Sequence, residues 1–508
     1  MPDSDYVCVK PAIHAPGQPL DDTPNHARKV SAAFSRIYST GDFLAAWDGG
    51  LISGNRYTSR TANSGMNNHF QGVTRLKDSD YLVISGGDKK RRRGHLFIVH
   101  MESRTFGTAW RTNVHCQDMP PAGDRIAAVI CVNDDTRGLP KELWHVGGID
   151  SCGDILAAPV ESSDQNVYRS RILFYNLHDP RQPTLLPNSI WIDRPDAKAG
   201  AVAITKLASS YTLLAVLGKY ASDGRKYLDL YFSRTTDWSD GFDAVYSLHV
   251  PGAEFNCQSM SLINEDNQRL YLMTMRNTQQ SAPVIGGEDW AHLFELRIDP
   301  SDLLQVRPGN CTLSGIYKLS EKHFTCKIRG RKRRYSPFQC NFNAGAGIYI
   351  HTGGAMFLYS CFHWLRNHRI RLAEFRPPPE RFSPTRITSV DDMWIDMFEH
   401  NHFRGLRFGI QGADDATISD FLKLAVQSRP FDKAVSSVRY QIPLGKSLRL
   451  YRHKDFRSKN NDYLDLVGDG KLQTRADLKK DGFGDKTLSC QLVDNLQRWA
   501  ADTPGLPP

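Results

Sequence analysis

His69 and His145 each stand just ahead of a glycine-containing apolar run, and Asp150 lies inside the second of them. The runs read His69-Phe-Gln-Gly72-Val-Thr-Arg-Leu and His145-Val-Gly-Gly148-Ile-Asp150. Imidazoles and a carboxylate at equivalent places in repeated units can converge on a metal ion or exchange a proton with a substrate. Asp88, at the end of another apolar run, is a further candidate for that group. The plainer reading has each histidine hydrogen-bonding the backbone of the next unit, and it is preferred because the remaining units have no matching histidine. The chain holds no Gly-x-Ser-x-Gly, no phosphate-cradling loop and no His-Glu-x-x-His. No glycosidase-like pair of carboxylates can be singled out either. An enzyme using His69, His145 and Asp150, a hydrolase or metal-dependent catalyst, is thus the alternative reading. A non-catalytic binding or interaction protein is the leading one.

Two runs concentrate positive charge. Lys89, Lys90, Arg91, Arg92 and Arg93 sit between two apolar runs, and Arg331, Lys332, Arg333 and Arg334 lie in a longer connection. Such clusters neutralise phosphates or sulfated sugars with strong salt dependence. Solvated loop tips are the preferred reading. Only Tyr335 and Phe338 follow the second run, too few rings for a stacking platform, so nucleic acid is a disfavoured partner. Protein, glycan and anionic polymer are the partner classes retained.

The elements that must position these residues repeat loosely through the first 385 residues. Five glycine- or small-residue starts, near Gly72, Gly148, Gly200, Gln258 and Gly345, are each followed by two richer apolar runs. Tyr81-Leu-Val-Ile-Ser with His95-Leu-Phe-Ile-Val is one such pair, and Tyr211-Thr-Leu-Leu-Ala-Val with Tyr227-Leu-Asp-Leu-Tyr-Phe is another. Small antiparallel sheets at this recurrence predict a β-propeller, small residues fitting the crowded axis. Partial units near Asp42–Trp47 and Arg125–Cys131 leave five or six blades open. No signature identifies a particular propeller family.

The last 120 residues carry a second repeat. Phe398-Glu-His-Asn-His-Phe403-Arg-Gly405 returns 53 positions later as Tyr451-Arg-His-Lys-Asp-Phe456-Arg-Ser458. Asp432-Lys-Ala-Val-Ser436-Ser437 returns at the same offset as Asp485-Lys-Thr-Leu-Ser489-Cys490. Two aromatics that pack together, a bend residue, and hydroxyls where the chain re-enters the sheet suit a folded hairpin within a Greek key. The pair resembles the βγ-crystallin family, whose Greek keys carry (Tyr/Phe/Trp)-x4-(Tyr/Phe)-x-Gly and (Asn/Asp)-(Asn/Asp)-x-x-(Ser/Thr)-Ser. The resemblance covers roughly residues 392–493 and implies a double Greek-key sandwich.

It also implies calcium at the two loops, with Asp432, Ser436, Asp485 and Ser489 as the surviving ligands. Lys433 and Lys486 bring cations where the family supplies oxygen, Cys490 stands for Ser437, and Ser458 for Gly405. A retained scaffold is therefore favoured over a usable calcium site. A third reading, by fold analogy alone, makes the domain a protease inhibitor, since some proteins resembling βγ-crystallins inhibit metalloproteinases.

Length and composition bound the rest. A chain of 508 residues with 40% hydrophobic content, nine Trp and 24 Phe suits more than one folded core. The expected class is all-β: a five- or six-bladed propeller followed by a βγ-crystallin-like double Greek key. The expected divisions are a loose tail over 1–35, the propeller over 36–376, a Pro-rich linker over 377–390, the crystallin-like domain over 391–493 and a tail over 494–508. No membrane-spanning run and no secretory signal are legible, which favours a cytoplasmic location with non-classical export as the alternative. Ten scattered cysteines favour buried thiols over a disulfide framework.

Overall fold

The computed structural model describes residues 8–47, 68–101, 124–132, 139–278, 287–324, 341–361, 369–377 and 388–494. Excepted within those ranges are 16, 40, 78, 89–91, 266–268, 352–353, 391–392, 402–403, 412–415, 421–424, 427–428, 431–434, 458–461 and 472. The chain divides into two units, whose described residues run to 377 in one and from 388 in the other.

The first unit is a five-bladed propeller. Blade 1 runs from its innermost strand outward as Asn68–Arg75, Tyr81–Asp88, Arg93–His100 and Asp124–Cys131. Blade 2 has a broken innermost strand, Leu143–Val146 and Asp150–Cys152. Both pieces pair with Ile155–Ser162, and Ser170–Asn176 follows. Its outer edge is shared by the short strands Thr184–Leu185 and Ile192–Arg194. Blade 3 comprises Ala201–Lys206, Thr212–Lys219, Lys226–Ser233 and Phe242–His249. Blade 4 comprises Ser259–Glu265, Arg269–Asn277, Asp289–Asp299 and Thr312–Phe324. Blade 5 starts with Ala346–Ile350, Met356–Cys361 and Arg369–Phe375, and is completed by Asp42–Trp47 from near the amino terminus.

The two runs that left a sixth blade open are therefore outer strands, Asp124–Cys131 of blade 1 and Asp42–Trp47 of blade 5. Middle strands read as continuous apolar runs because both faces are covered by neighbouring blades. Along Thr212–Lys219, Leu213, Ala215 and Leu217 enter the core shared with blade 4, while Leu214 and Val216 enter the core shared with blade 2.

Residues 8–35, expected as a loose tail, instead form a strap in contact with all five blades. Val9 pairs in parallel with Ile130 of blade 1, and Cys8 is disulfide-bonded to Cys131. Ala12–Ile13 adds in parallel to Thr184–Leu185 of blade 2. The Asp22 carboxylate accepts from Lys206 Nζ at 2.7 Å and from Trp238 Nε1 at 3.0 Å. Lys77 Nζ reaches Pro24 O at 3.3 Å. Asn25 and Ala27 bracket Asn264 of blade 4 with two backbone bonds. The helix Val30–Arg36 then buries Val30 and Phe34 in a core shared with blades 4 and 5. Prolines hid this segment, since it is fixed by specific partners and not by a periodic apolar face.

The second unit is a double Greek key built on two main sheets, beside which Ala425–Val426 and Arg429–Pro430 form a small two-stranded pair. One sheet has the order Arg404–Gln411, Trp394–His400, Ser437–Gln441, Gln473–Arg475; the other has Tyr463–Val467, Lys446–Tyr451, Ser489–Asp494. Ile418 adds to the second sheet by pairing with Cys490. Thus Gln473–Arg475, which follows the second hairpin in sequence, completes the first sheet, while Ile418 from the first motif extends the second. Met397, Val438, Tyr440, Leu448, Leu450 and Leu466 are among the buried side chains between them.

Candidate functional site

Small residues bring the innermost strands of the propeller into backbone contact at the axis. A Cβ on Gly148 would lie 1.8 Å from the Gln258 carbonyl oxygen, and one on Gly347 would lie 1.5 Å from the Val73 carbonyl oxygen. The first approach joins blade 2 to blade 4 and the second joins blade 5 to blade 1, so only glycine fits. Hydroxyls add to the stitching. Thr74 Oγ1 and Ser151 Oγ are 2.9 Å apart between blades 1 and 2, and Ser259 Oγ accepts from Ala346 N at 3.1 Å between blades 4 and 5. At this level the innermost strands of opposite and neighbouring blades are in backbone contact.

Asp150 sits inside this packing with its side chain sealed. Its Oδ2 accepts from the Ile204 N–H of blade 3 at 3.0 Å, and its Oδ1 from the Ser261 hydroxyl of blade 4 at 3.1 Å. Burial pushes its pKa up to about 8, outweighing those donors and the N–H groups of Ser151 and Leu262, which favour the charge. The carboxyl group therefore holds its proton at neutral pH and ties three blades together. Asn25 of the strap donates to Ser151 O, next to Asp150 in the chain, at 2.9 Å.

His145 does not meet Asp150. It lies on the broken strand directly across from Glu161, with Nδ1 3.4 Å from Glu161 Oε1, and the other carboxylate oxygen accepts from Ala199 N at 2.9 Å. His69 occupies the strand Asn68–Arg75 opposite Gly87, and its side chain lies outside the described residues. Asp88 is buried opposite Arg93 on the neighbouring strand. His145 and Asp150 are thus not assembled into one site, and among the described residues no group of three or more His, Cys, Asp or Glu is placed to hold a metal.

Of the first basic run, Arg92 lies in the turn and Arg93 begins the next strand, while Lys89, Lys90 and Arg91 lie outside the described residues, as do Arg331, Lys332, Arg333 and Arg334.

In the Greek-key unit, Tyr451 and Phe456 pack edge to face with ring centroids 5.9 Å apart. Ser437 donates to His400 O at 2.7 Å and Ser489 to His453 O at 2.6 Å, so each hydroxyl ties down its own folded hairpin. Phe398 pairs with Ser437 and Tyr451 with Ser489. The structural repeat of the hydroxyls is therefore 52 residues, one less than the offset read from the motifs, and Ser489 matches Ser437 rather than Ser436. Among the calcium candidates, Asp432 lies outside the described residues and Ser489 is turned to His453. Ser436 and Asp485 do meet: the Ser436 hydroxyl donates to Asp485 Oδ1, and Lys479 Nζ stands 3.8 Å from Oδ2.

Sequence reasoning missed two features. The Cys8–Cys131 disulfide joins residues 123 positions apart with no spacing motif, against the expectation of thiols only. The buried ion pair of Arg194 and Asp229, linking blade 2 to blade 3, draws on strands that no pattern juxtaposed.

The pairings define an all-β chain that combines a five-bladed propeller with a βγ-crystallin-like double Greek key. No family model and no curated protein matches it. Among solved structures, it is similar to a family-43 glycoside hydrolase at 10% identity and TM-score 0.34, over 65% of this chain and 98% of that one. An exo-β-1,3-galactanase from Phanerochaete chrysosporium is similar at 9% identity and TM-score 0.26, over 89% of this chain and 93% of that one. A βγ-crystallin domain of the eye-lens fold is similar at 14% identity and TM-score 0.16, over 22% of this chain and 93% of that one. These scores leave the fold resting on the strand pairings themselves.

Proposed function

We propose that the chain is a non-catalytic binding protein whose propeller and Greek-key unit present rigid surfaces to a protein, a glycan or an anionic polymer. The supporting observation is the axis. Its innermost strands are in backbone contact, and their one buried carboxyl group, Asp150, has its oxygens occupied by donors from two other blades. Hydrolysis of a glycosidic bond needs two carboxyl groups facing a substrate across roughly 5–10 Å, and the Asp150 oxygens face donors from blades 3 and 4 instead. A second reading, an enzyme, rests on the partly exposed His145–Glu161 pair.

The test combines glycan-array and heparin-column binding with a hydrolysis panel of aryl glycosides and polysaccharides. Saturable binding without turnover supports the proposal. Turnover that Glu161→Gln abolishes in a folded protein would overturn it in favour of the enzyme.

A further inference from the structure

We propose that Cys8 and Cys131 form a redox-sensitive clasp, whose reduction frees the first part of the strap and uncovers the outer edges of blades 1 and 2. Residues 8–14 cover those edges. Val9 donates its N–H to Val129 O at 2.8 Å, Ala12–Ile13 pairs with Thr184–Leu185, and His14 donates to Leu185 O at 2.8 Å. Apart from the disulfide, this part is held by those backbone bonds, by the buried Pro11, by Val9 against the core between blades 1 and 2 and by His14 Nδ1 at 3.2 Å from Thr184 Oγ1, while Ala12 and Ile13 are exposed. Without the bond, that hold competes with the entropy of ordering seven residues.

The strap beyond residue 20 is held differently. Ala27, Val30, Phe34 and Ile37 are fully or almost fully buried, and Asp22 and Asn25 bond to strands of blades 2 to 4. Loss of the disulfide therefore separates a front part that detaches from a rear part that stays. Cys8 is partly exposed, so a small thiol can reach it. Exchange with a dithiol proceeds in two steps. A dithiol thiolate attacks one sulfur and releases the other protein thiolate, which takes a proton. The second dithiol sulfur then displaces the remaining cysteine, leaving two protein thiols and a cyclic disulfide. The stretch around Val129–Cys131 and the strand Thr184–Leu185 then lose the backbone partners that the strap supplies.

The experiment uses the full chain purified without reductant, the same protein treated with dithiothreitol, and Cys8→Ser. Alkylation of the native oxidised protein followed by peptide mapping should leave Cys8 and Cys131 unlabelled and recover them as one linked peptide. Amide hydrogen exchange over 9–14 should quicken about tenfold or more on reduction and in Cys8→Ser, with 22–38 unchanged. Dithiothreitol should change nothing further over 9–14 in Cys8→Ser. Full alkylation of both cysteines in the oxidised protein would overturn the proposal, as would unchanged exchange over 9–14. Loss of protection over 22–38 as well would also overturn it, because the bond would then be a general staple of the fold.

Discussion

The proton on Asp150 makes propeller stability depend on pH in a way that one substitution removes. Asp150 ionises near its ordinary value of 3.8 when the chain is unfolded, and burial raises the folded value to about 8. Between those values the folded state binds one proton more than the unfolded state. Its contribution is complete below about pH 4, falls as pH rises, and is gone above about pH 8, with a slope of about 1.4 kcal/mol per pH unit between. From pH 5 to pH 7 this amounts to about 3 kcal/mol. Other groups titrate too, so the informative quantity is the difference between the wild-type chain and Asp150→Asn, whose amide is near-isosteric and does not titrate. Guanidinium unfolding followed by tryptophan fluorescence, at pH 5, 6 and 7, should show wild type losing about 3 kcal/mol relative to the variant. A difference constant to within about 0.5 kcal/mol over that range would refute the sealed, protonated Asp150.

Four further outcomes follow from contacts described above. Gly148→Ala should cost about 3 kcal/mol or more in a thermal melt, because the Gln258 backbone cannot retreat. Gly200→Ala, whose nearest atom would be 3.8 Å away, should stay within about 1 kcal/mol. Arg194→Met should cost about 3–5 kcal/mol by chemical denaturation, since it strands the Asp229 carboxylate in a site only 2% exposed. Calorimetric titration with calcium should show no binding tighter than about 1 mM, because Ser436 and Lys479 already engage the Asp485 carboxylate; submillimolar affinity would contradict this.

The sequence exposed what backbone crowding and double-sided burial dictate. Gly72 and Gly148 are required by close approach at the axis, and runs such as Leu213–Leu217 are apolar throughout because a blade lies against each face. Outer strands were harder to read. Phe242–His249 and Thr312–Phe324 face solvent over much of their length, so their composition resembles that of loops. The candidate site was legible only in part. Asp150 was found by position, but the partners that seal it, Ile204 and Ser261, come from strands 54 and 111 residues away. The same distance hid the Asp22 and Asn25 contacts of the strap. The motif repeat located both folded hairpins, yet it misaligned their hydroxyls by one residue, since Asp-Lys-x-x-Ser matches in letters where the strand registers do not.

The exchange of strands between the two sheets of the Greek-key unit has a consequence for dissection. Cutting the repeat at its midpoint, near residue 443, would deprive one half of Gln473–Arg475 and the other of the segment around Ile418. Each fragment would carry a bare flank and a half-covered hydrophobic floor. Two copies of either fragment could regain a full complement only by lending a strand to each other, so an isolated half should dimerise or precipitate.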